Sequence, residues 1–295
     1  MLDRTSILFV TLDSCRYDSF SAAAAPNIKG LGPVHRAMAP GNFTYASHAA
    51  MFMGFTPGVA AKAEPLVNPK FGKIFKITGA AFPSKGTEFL TVKGRNVIDG
   101  LSRIGFATIG AGAAGWFDPD TLTGQNLSGD FDDFFYPGNT WSLGPQLSWL
   151  HARLDELDGQ RVFCFLNVGE THVPYWHEGC DWSRDNPCVP FGTDNDAAEC
   201  RRRQLACIEW VDAQLAPLLA RFSHANTLVC SDHGDAWGEE GLWEHGIHHH
   251  VVLEVPLVFS LQHPPRTVAG VAQNARVRAR GAAKGLLGKV KGKLR

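Results

Sequence analysis

Short, almost wholly apolar runs that end abruptly on acids and histidines constrain this chain more than any other feature of its sequence. Ser6–Leu12 stops at Asp13, Val162–Leu166 leads to Glu170 and His172, and Thr227–Cys230 opens onto Asp232 and His233. Continuous apolar runs of this kind read as strands buried on both faces. Phe106–Gly110 and Val255–Ser260 read as two more. Helical patterns lie between them. Ala46–Met53 reads as the first turns of a helix, and Pro145–Leu157 carries its proline where a first turn tolerates one. Ala197–Arg221 lines up Leu205, Ile208, Val211, Leu215 and Leu218 at helical spacing.

Strands alternating with helices predict an α/β fold with a mostly parallel central sheet flanked by helices. In such a sheet ligands bind beyond the carboxyl ends of the strands. Asp13, Glu170, His172, Asp232 and His233 are therefore expected to meet at one edge, although they are far apart in sequence.

Composition narrows the class. A chain of 295 residues, 44% hydrophobic and 19% charged, suits one large α/β domain, and a net charge of −1 gives no reason to expect nucleic acid. The charge is unevenly spread: residues 266–295 hold nine Lys or Arg and no acid. We divide the chain into a core at 1–265 and a basic tail at 266–295. Leu287, Val290 and Leu294 give the tail some amphipathic spacing, suited to weak contact with anionic lipid, but its glycines favour a flexible segment.

The run before Asp13 is too short for a signal peptide, and no stretch reaches the roughly 20 apolar residues of a membrane span. Cys15, Cys164, Cys207 and Cys230 lie in or beside apolar segments, as reduced buried thiols do. Cys180, Cys188 and Cys200 share a polar segment that leaves a zinc site or a disulfide open. The expected compartment is the cytoplasm.

Asp232-His233-Gly234 offers an oxygen and a nitrogen ligand side by side, with a glycine that lets the chain turn away. Alone, the tripeptide reads more readily as a surface turn than as a ligand pair. Its weight comes from combination with Asp13 after the first strand and Thr44 opening a helix. In order, type and context this set resembles the alkaline phosphatase superfamily, and within it the sulfatase-like branch. That branch carries its nucleophile ten residues before a glycine, and Thr44 stands ten residues before Gly54, with Ser47 at the serine position. Ala25-Pro26-Asn27-Ile28, Gly105-Phe106-Ala107-Thr108 and His172-Val173-Pro174-Tyr175 resemble further family segments. So do Gly241-Leu242-Trp243, His245-Gly246 and Val255-Pro256-Leu257, in the same order, so the likeness covers roughly residues 6–260. The large carboxy-terminal subdomain common in sulfatases has no counterpart of adequate length.

The departures redirect the chemistry. Thr44 is neither Cys nor Ser, so it cannot become the aldehyde that sulfatases use. His48 replaces the motif's arginine, Ala111 its lysine, Ser14 the second acid of an Asp-Asp pair, and Val168 the acid of a second-metal Asp-x-x-x-His motif. The resemblance thus implies phosphodiester, phosphomonoester or phosphonate chemistry through a covalent phospho-threonine, on a small or lipid-like substrate. It implies one divalent metal, zinc or manganese, on Asp13, Thr44, Asp232 and His233, with a second ion possible through Glu170, His248 or His48. His172 and His245 are the candidates to contact the phosphoryl or leaving oxygen, and the insert Tyr175–Arg203 reads equally as a wall for substrate or as a long surface loop. Hydrolysis is the first expectation. Transfer to an alcohol, or a non-catalytic metal-binding protein, are the alternatives.

Overall fold

Every apolar run becomes a strand of one sheet. The computed structural model describes residues 2–54 and 94–262. Its strands are β1 (Ile7–Leu12), β2 (His35–Met38), β3 (Ala107–Gly112), β4 (Asp133–Phe135) and β5 (Val162–Val168), then β6 (Asn226–Ser231), the hairpin pair β7 (Ala236–Trp237) and β8 (Trp243–Glu244), and β9 (Glu254–Ser260). Seven of them form one sheet in the order β2-β9-β6-β1-β5-β3-β4, and β7 pairs with β8 alone. From β6 to β4 all pairings are parallel; β9 runs antiparallel to β6 and to β2. The mostly parallel sheet is thus realised, with its antiparallel pairings confined to one side.

Register decides what meets at the carboxyl edge. Leu12 of β1 pairs with Val168 on one side and Ser231 on the other. The chain therefore leaves three neighbouring strands at one level, at Asp13, Gly169 and Asp232. The Asp13 amide donates to the Val168 carbonyl at 2.9 Å, which fixes the first of these exits.

The period of two along β5 divides the core. Cys164, Leu166 and Val168 face an aliphatic cluster with Leu8, Val10 and Leu12, while Phe163 and Phe165 face a phenylalanine-rich cluster with Phe52, Phe117 and Phe131. Helix α6 (Leu143–Glu156) covers the aliphatic side with Leu143, Leu147, Leu150 and Leu154, each worth on the order of 2 kcal/mol of apolar burial. Helix α7 (Ala197–Arg221) is capped by Asp196, whose side chain accepts from the Glu199 amide, and buries Ile208, Val211, Leu215 and Leu218 in the same cluster. From its buried face Asp212 accepts the Asn27 and Ile28 amides of α2 (Pro26–Lys29). The Pro-Asn-Ile segment is thus a docking point for α7.

Helix α3 (Thr44–Met53) begins two residues before the first turns expected at Ala46, because the extended Phe43 ends at Thr44. Gly41 lets the chain cross the start of that helix: a Cβ there would lie 2.6 Å from the Ser47 nitrogen. Helices α1 (Tyr17–Ala22), α4 (Val97–Arg103) and α5 (Leu122–Ser128) complete the layers.

The triplet His248-His249-His250 is not extended: His249 caps α8 (His250–Leu253), accepting from the Val251 amide, so a helical turn sets the ring directions. All seven cysteines are thiols, and the Cys188 and Cys200 sulfurs donate to the Ala236 and Pro187 carbonyls. The tail from residue 266 lies outside the described residues. No helix among the described residues is long and apolar enough to cross a membrane.

Candidate metal and nucleophile site

Thr44 is the first residue of α3 and is 1% exposed. Its Oγ1 lies 3.3 and 3.4 Å from the two Asp13 carboxylate oxygens and 3.3 Å from His233 Nε2. The first-turn amides of a helix surround that hydroxyl with partial positive charge, which suits a phosphoryl group.

The acids are held from behind. The Asp13 carbonyl accepts the Thr171 hydroxyl at 2.6 Å. Asp232 Oδ1 accepts the Ser14 and His233 amides at 3.2 and 2.9 Å, the first of them aimed by a left-handed Ser14 (φ 57°). Asp232 Oδ2 is buried with no hydrogen-bond partner, 3.6 Å from His233 Nε2. His233 Nδ1 faces the Gly234 carbonyl at 3.1 Å, and a carbonyl only accepts. The ring proton therefore sits on Nδ1, and the Nε2 lone pair points toward Asp13, Asp232 and Thr44.

The electrostatics call for a cation. Burial, then the charge of Asp13, pushes the Asp232 carboxyl well above the carboxylate range. Burial lowers His233 to about 3, so its imidazole is neutral. Two acids and a neutral imidazole nitrogen within 4.8 Å of one another, one oxygen orphaned, make a donor set for a divalent ion. The residues fit the metal that the sequence implied.

A second cluster adjoins it: His233, Asp235 and His245. His245 Nδ1 lies 2.7 Å from Asp235 Oδ1, and the His245 ring stands 4.5 Å from His233 and 5.1 Å from His172, centroid to centroid. Burial opposes a charged His245, but Asp235 overrides it and raises the imidazole to about 8. The Gly246 amide bonds the Asn42 carbonyl, tying the His245 turn to the segment that precedes Thr44. His172 turns Nδ1 to the Val173 carbonyl at 2.8 Å.

Three further residues are candidates for a second ion, and His48 Nδ1 lies 3.7 Å from Asp232 Oδ2. His48 Nδ1 donates to the Thr44 carbonyl at 2.8 Å and Nε2 meets the Thr11 hydroxyl at 2.9 Å, with Phe117 and Phe165 packed edge-on around the ring. Burial lowers it to about 4. Both nitrogens are taken, so His48 is a strut of the α3 start. Glu170 Oε1 accepts the Leu143 amide at 2.8 Å at the start of α6, and burial lifts its carboxyl to about 7. Neither Glu170 nor His248 belongs to either cluster.

Sequence reasoning missed Asp235 and the Tyr175 hydroxyl. Asp235, two residues beyond His233, looks like turn polarity after a glycine, and Tyr175 looks like a motif aromatic. The insert after Tyr175 is built around Arg184, stacked 3.8 Å over Trp176 and 5.0 Å over Trp141. Arg203 pins it from α7 through the Ser183 and Asp185 carbonyls.

No protein-family model matches the chain, and no curated protein matches it significantly. Solved structures do. The C-terminal periplasmic domain of phosphoethanolamine transferase EptC from Campylobacter jejuni superposes with a TM-score of 0.59 at 15% identity, covering 88% of this chain and 80% of that one. The corresponding EptC domain from Escherichia coli, in complex with Zn, gives 0.57 at 12% identity over 89% and 74%. A protein in the alkaline phosphatase superfamily from Vibrio parahaemolyticus gives 0.51 at 14% identity over 90% and 62%. The chain shares its fold with these proteins. These neighbours also correct the expected compartment. Two of the three are periplasmic domains, which points outside the cytoplasm, and a short apolar run before Asp13 does not argue otherwise.

Proposed function

We propose that this chain is a metal-dependent enzyme that cleaves a phosphodiester, phosphomonoester or phosphonate through a covalent phospho-Thr44. One observation carries the reading: a single buried hydroxyl, Thr44 Oγ1, sits 3.3 Å from both Asp13 and His233 at the start of a helix. Asp13, Thr44, Asp232 and His233 would hold a zinc or manganese ion. Such an ion, when bound, lowers the pKa of a hydroxyl and offsets phosphoryl charge.

The protein's own groups do the rest. The α3 amides cradle the phosphoryl oxygens, and Thr44 Oγ1 attacks phosphorus opposite the leaving oxygen. His245, whose ring stands beside His233, and His172, whose ring stands beside His245, are the groups to meet the leaving or entering oxygen. The insert whose Arg184 stacks on Trp176 and Trp141 follows His172 directly and is the candidate wall for a small or lipid-like ester. Both Asp235 oxygens are engaged by protein groups, which favours one ion over two.

Hydrolysis is the first reading. Transfer to an alcohol is the second, and the fold shared with phosphoethanolamine transferase domains favours it. The test is metal content by mass spectrometry with turnover of aryl phosphomonoester, phosphodiester, phosphonate and sulfate esters, for the native chain and Thr44→Ala. Bound metal with phosphorus-ester turnover lost in Thr44→Ala supports the proposal. Metal without turnover of any ester points to a binding protein instead. Added alcohols that divert product from free phosphate to a phosphoester mark a transferase.

A further inference from the structure

Asp235 is fully buried, and its two oxygens are engaged from two sides. Oδ1 faces His245 Nδ1 at 2.7 Å, and Oδ2 accepts the Tyr175 hydroxyl proton at 2.7 Å. The Trp237 indole N–H donates to the same Tyr175 oxygen at 2.7 Å. Each bond in this chain has one possible direction. An indole only donates, so the Tyr175 proton must go to Asp235, and an ionised carboxylate only accepts, so His245 carries a proton on Nδ1. With Nδ1 committed to Asp235, the ring gives and takes its exchangeable proton at Nε2, and it stands 4.5 Å from the His233 ring, centroid to centroid.

From this geometry we infer that Asp235, steadied by Tyr175, is a positioning residue that sets His245 as the proton acceptor for release of phospho-Thr44. The inference rests on the roles of Thr44 and His245 proposed above. In the first displacement the Thr44 proton leaves to solvent, the Oγ1–P bond forms and the ester P–O bond breaks, with His245 supplying a proton to the leaving oxygen. In the second, water or an alcohol forms a new O–P bond, its proton passes to His245 Nε2, and the Thr44 Oγ1–P bond breaks. Thr44 recovers a proton from solvent, so the cycle balances. An aspartate behind an imidazole fixes the tautomer and supports the imidazolium that forms, and in a related arrangement its loss costs about 10⁴-fold.

Asp235→Asn keeps the shape but presents an N–H to His245 Nδ1, driving the ring proton to Nε2. The experiment is stopped-flow turnover of p-nitrophenyl phosphate and bis(p-nitrophenyl) phosphate, with intact protein mass followed over the same interval. Asp235→Asn is expected to keep its p-nitrophenolate burst, accumulate phospho-Thr44, and lose about 10²-fold or more in kcat. Tyr175→Phe is expected to lose less in the same manner. A burst and a steady rate that fall together, or an undiminished kcat, would overturn the inference. Histidine ¹⁵N NMR of the metal-loaded protein gives a readout independent of turnover. At a pH high enough to make the ring neutral, His245 should be an Nδ1–H tautomer in the native chain and Nε2–H in Asp235→Asn, and a neutral Nε2–H native ring would overturn the positioning role. The expected tautomers in a protein that turns over neither ester would keep that role and count against the Thr44 reading instead.

Discussion

His48 and Thr44 sit one helical turn apart, and the His48 ring reaches back to the Thr44 carbonyl at 2.8 Å while its other nitrogen meets Thr11 on β1. The Thr44 backbone is thereby fastened to the sheet by a neutral, buried imidazole. His48→Phe should remove one hydrogen-bond partner each from the Thr11 hydroxyl and the Thr44 carbonyl and cost roughly 1–3 kcal/mol in urea unfolding. Bound metal per chain should stay the same. Loss of metal with unchanged stability would return His48 to the ligands.

Asp13 and Asp232 place two carboxylates in one buried pocket, a cost that a cation offsets. Chelator treatment should therefore lower the melting temperature, and readdition of Zn²⁺ should restore it, with about 2.7 kcal/mol gained at a hundred times the dissociation constant. Asp232→Asn should act oppositely on the two states. It removes a buried charge whose carboxyl burial already pushes far up, so the chelated protein should hold or gain stability, and the gain from Zn²⁺ should vanish. Equal Zn²⁺ stabilisation in both proteins would exclude Asp232 as a ligand.

The inner strands were legible because burial on both faces demands continuous apolar runs, as in Val162–Val168. The edges were not. β2 is mostly exposed, so His35 and Arg36 carry no apolar signal, and β4 is three residues long. At the site, residue type and strand position drew attention to Asp13, Asp232 and His233, and the family resemblance to Thr44. They could not show which way a donor faces. His48 and Glu170 have the chemistry of ligands but are engaged with Thr11, Thr44 and Leu143. Asp235 had no apolar run before it, and its partner Tyr175 lies 60 residues away.

Asp212 tests whether the Pro-Asn-Ile segment is structural. Its carboxylate receives the Ile28 amide at 2.7 Å, the Asn27 amide at 3.1 Å and the Asn27 side chain at 2.8 Å, all from 1% exposure. Asp212→Ala should strand these donors and destabilise the fold by about 2–4 kcal/mol. Ester turnover per folded molecule should be unchanged. A selective loss of turnover at full stability would mean that this segment serves the site.

Glu170 offers a pH signature separate from the metal cluster. Burial raises its carboxyl to about 7 from an ordinary 4.5, against the opposing pull of the Leu143 amide, and its Oε2 has no partner. An acid held more tightly protonated in the folded state stabilises fully below its unfolded value, and that contribution fades as pH rises through the folded one. The native chain should therefore lose up to ~3 kcal/mol relative to Glu170→Gln between pH 5 and pH 8. Glutamine keeps an oxygen for the Leu143 amide and carries no charge at either end. Guanidinium unfolding across this range, with chelator present in both proteins, should give a native curve that falls relative to the variant as pH rises. Parallel curves would mean that Glu170 ionises in the folded protein as freely as in the unfolded chain, and its burial at the start of α6 would then carry no pH-dependent cost.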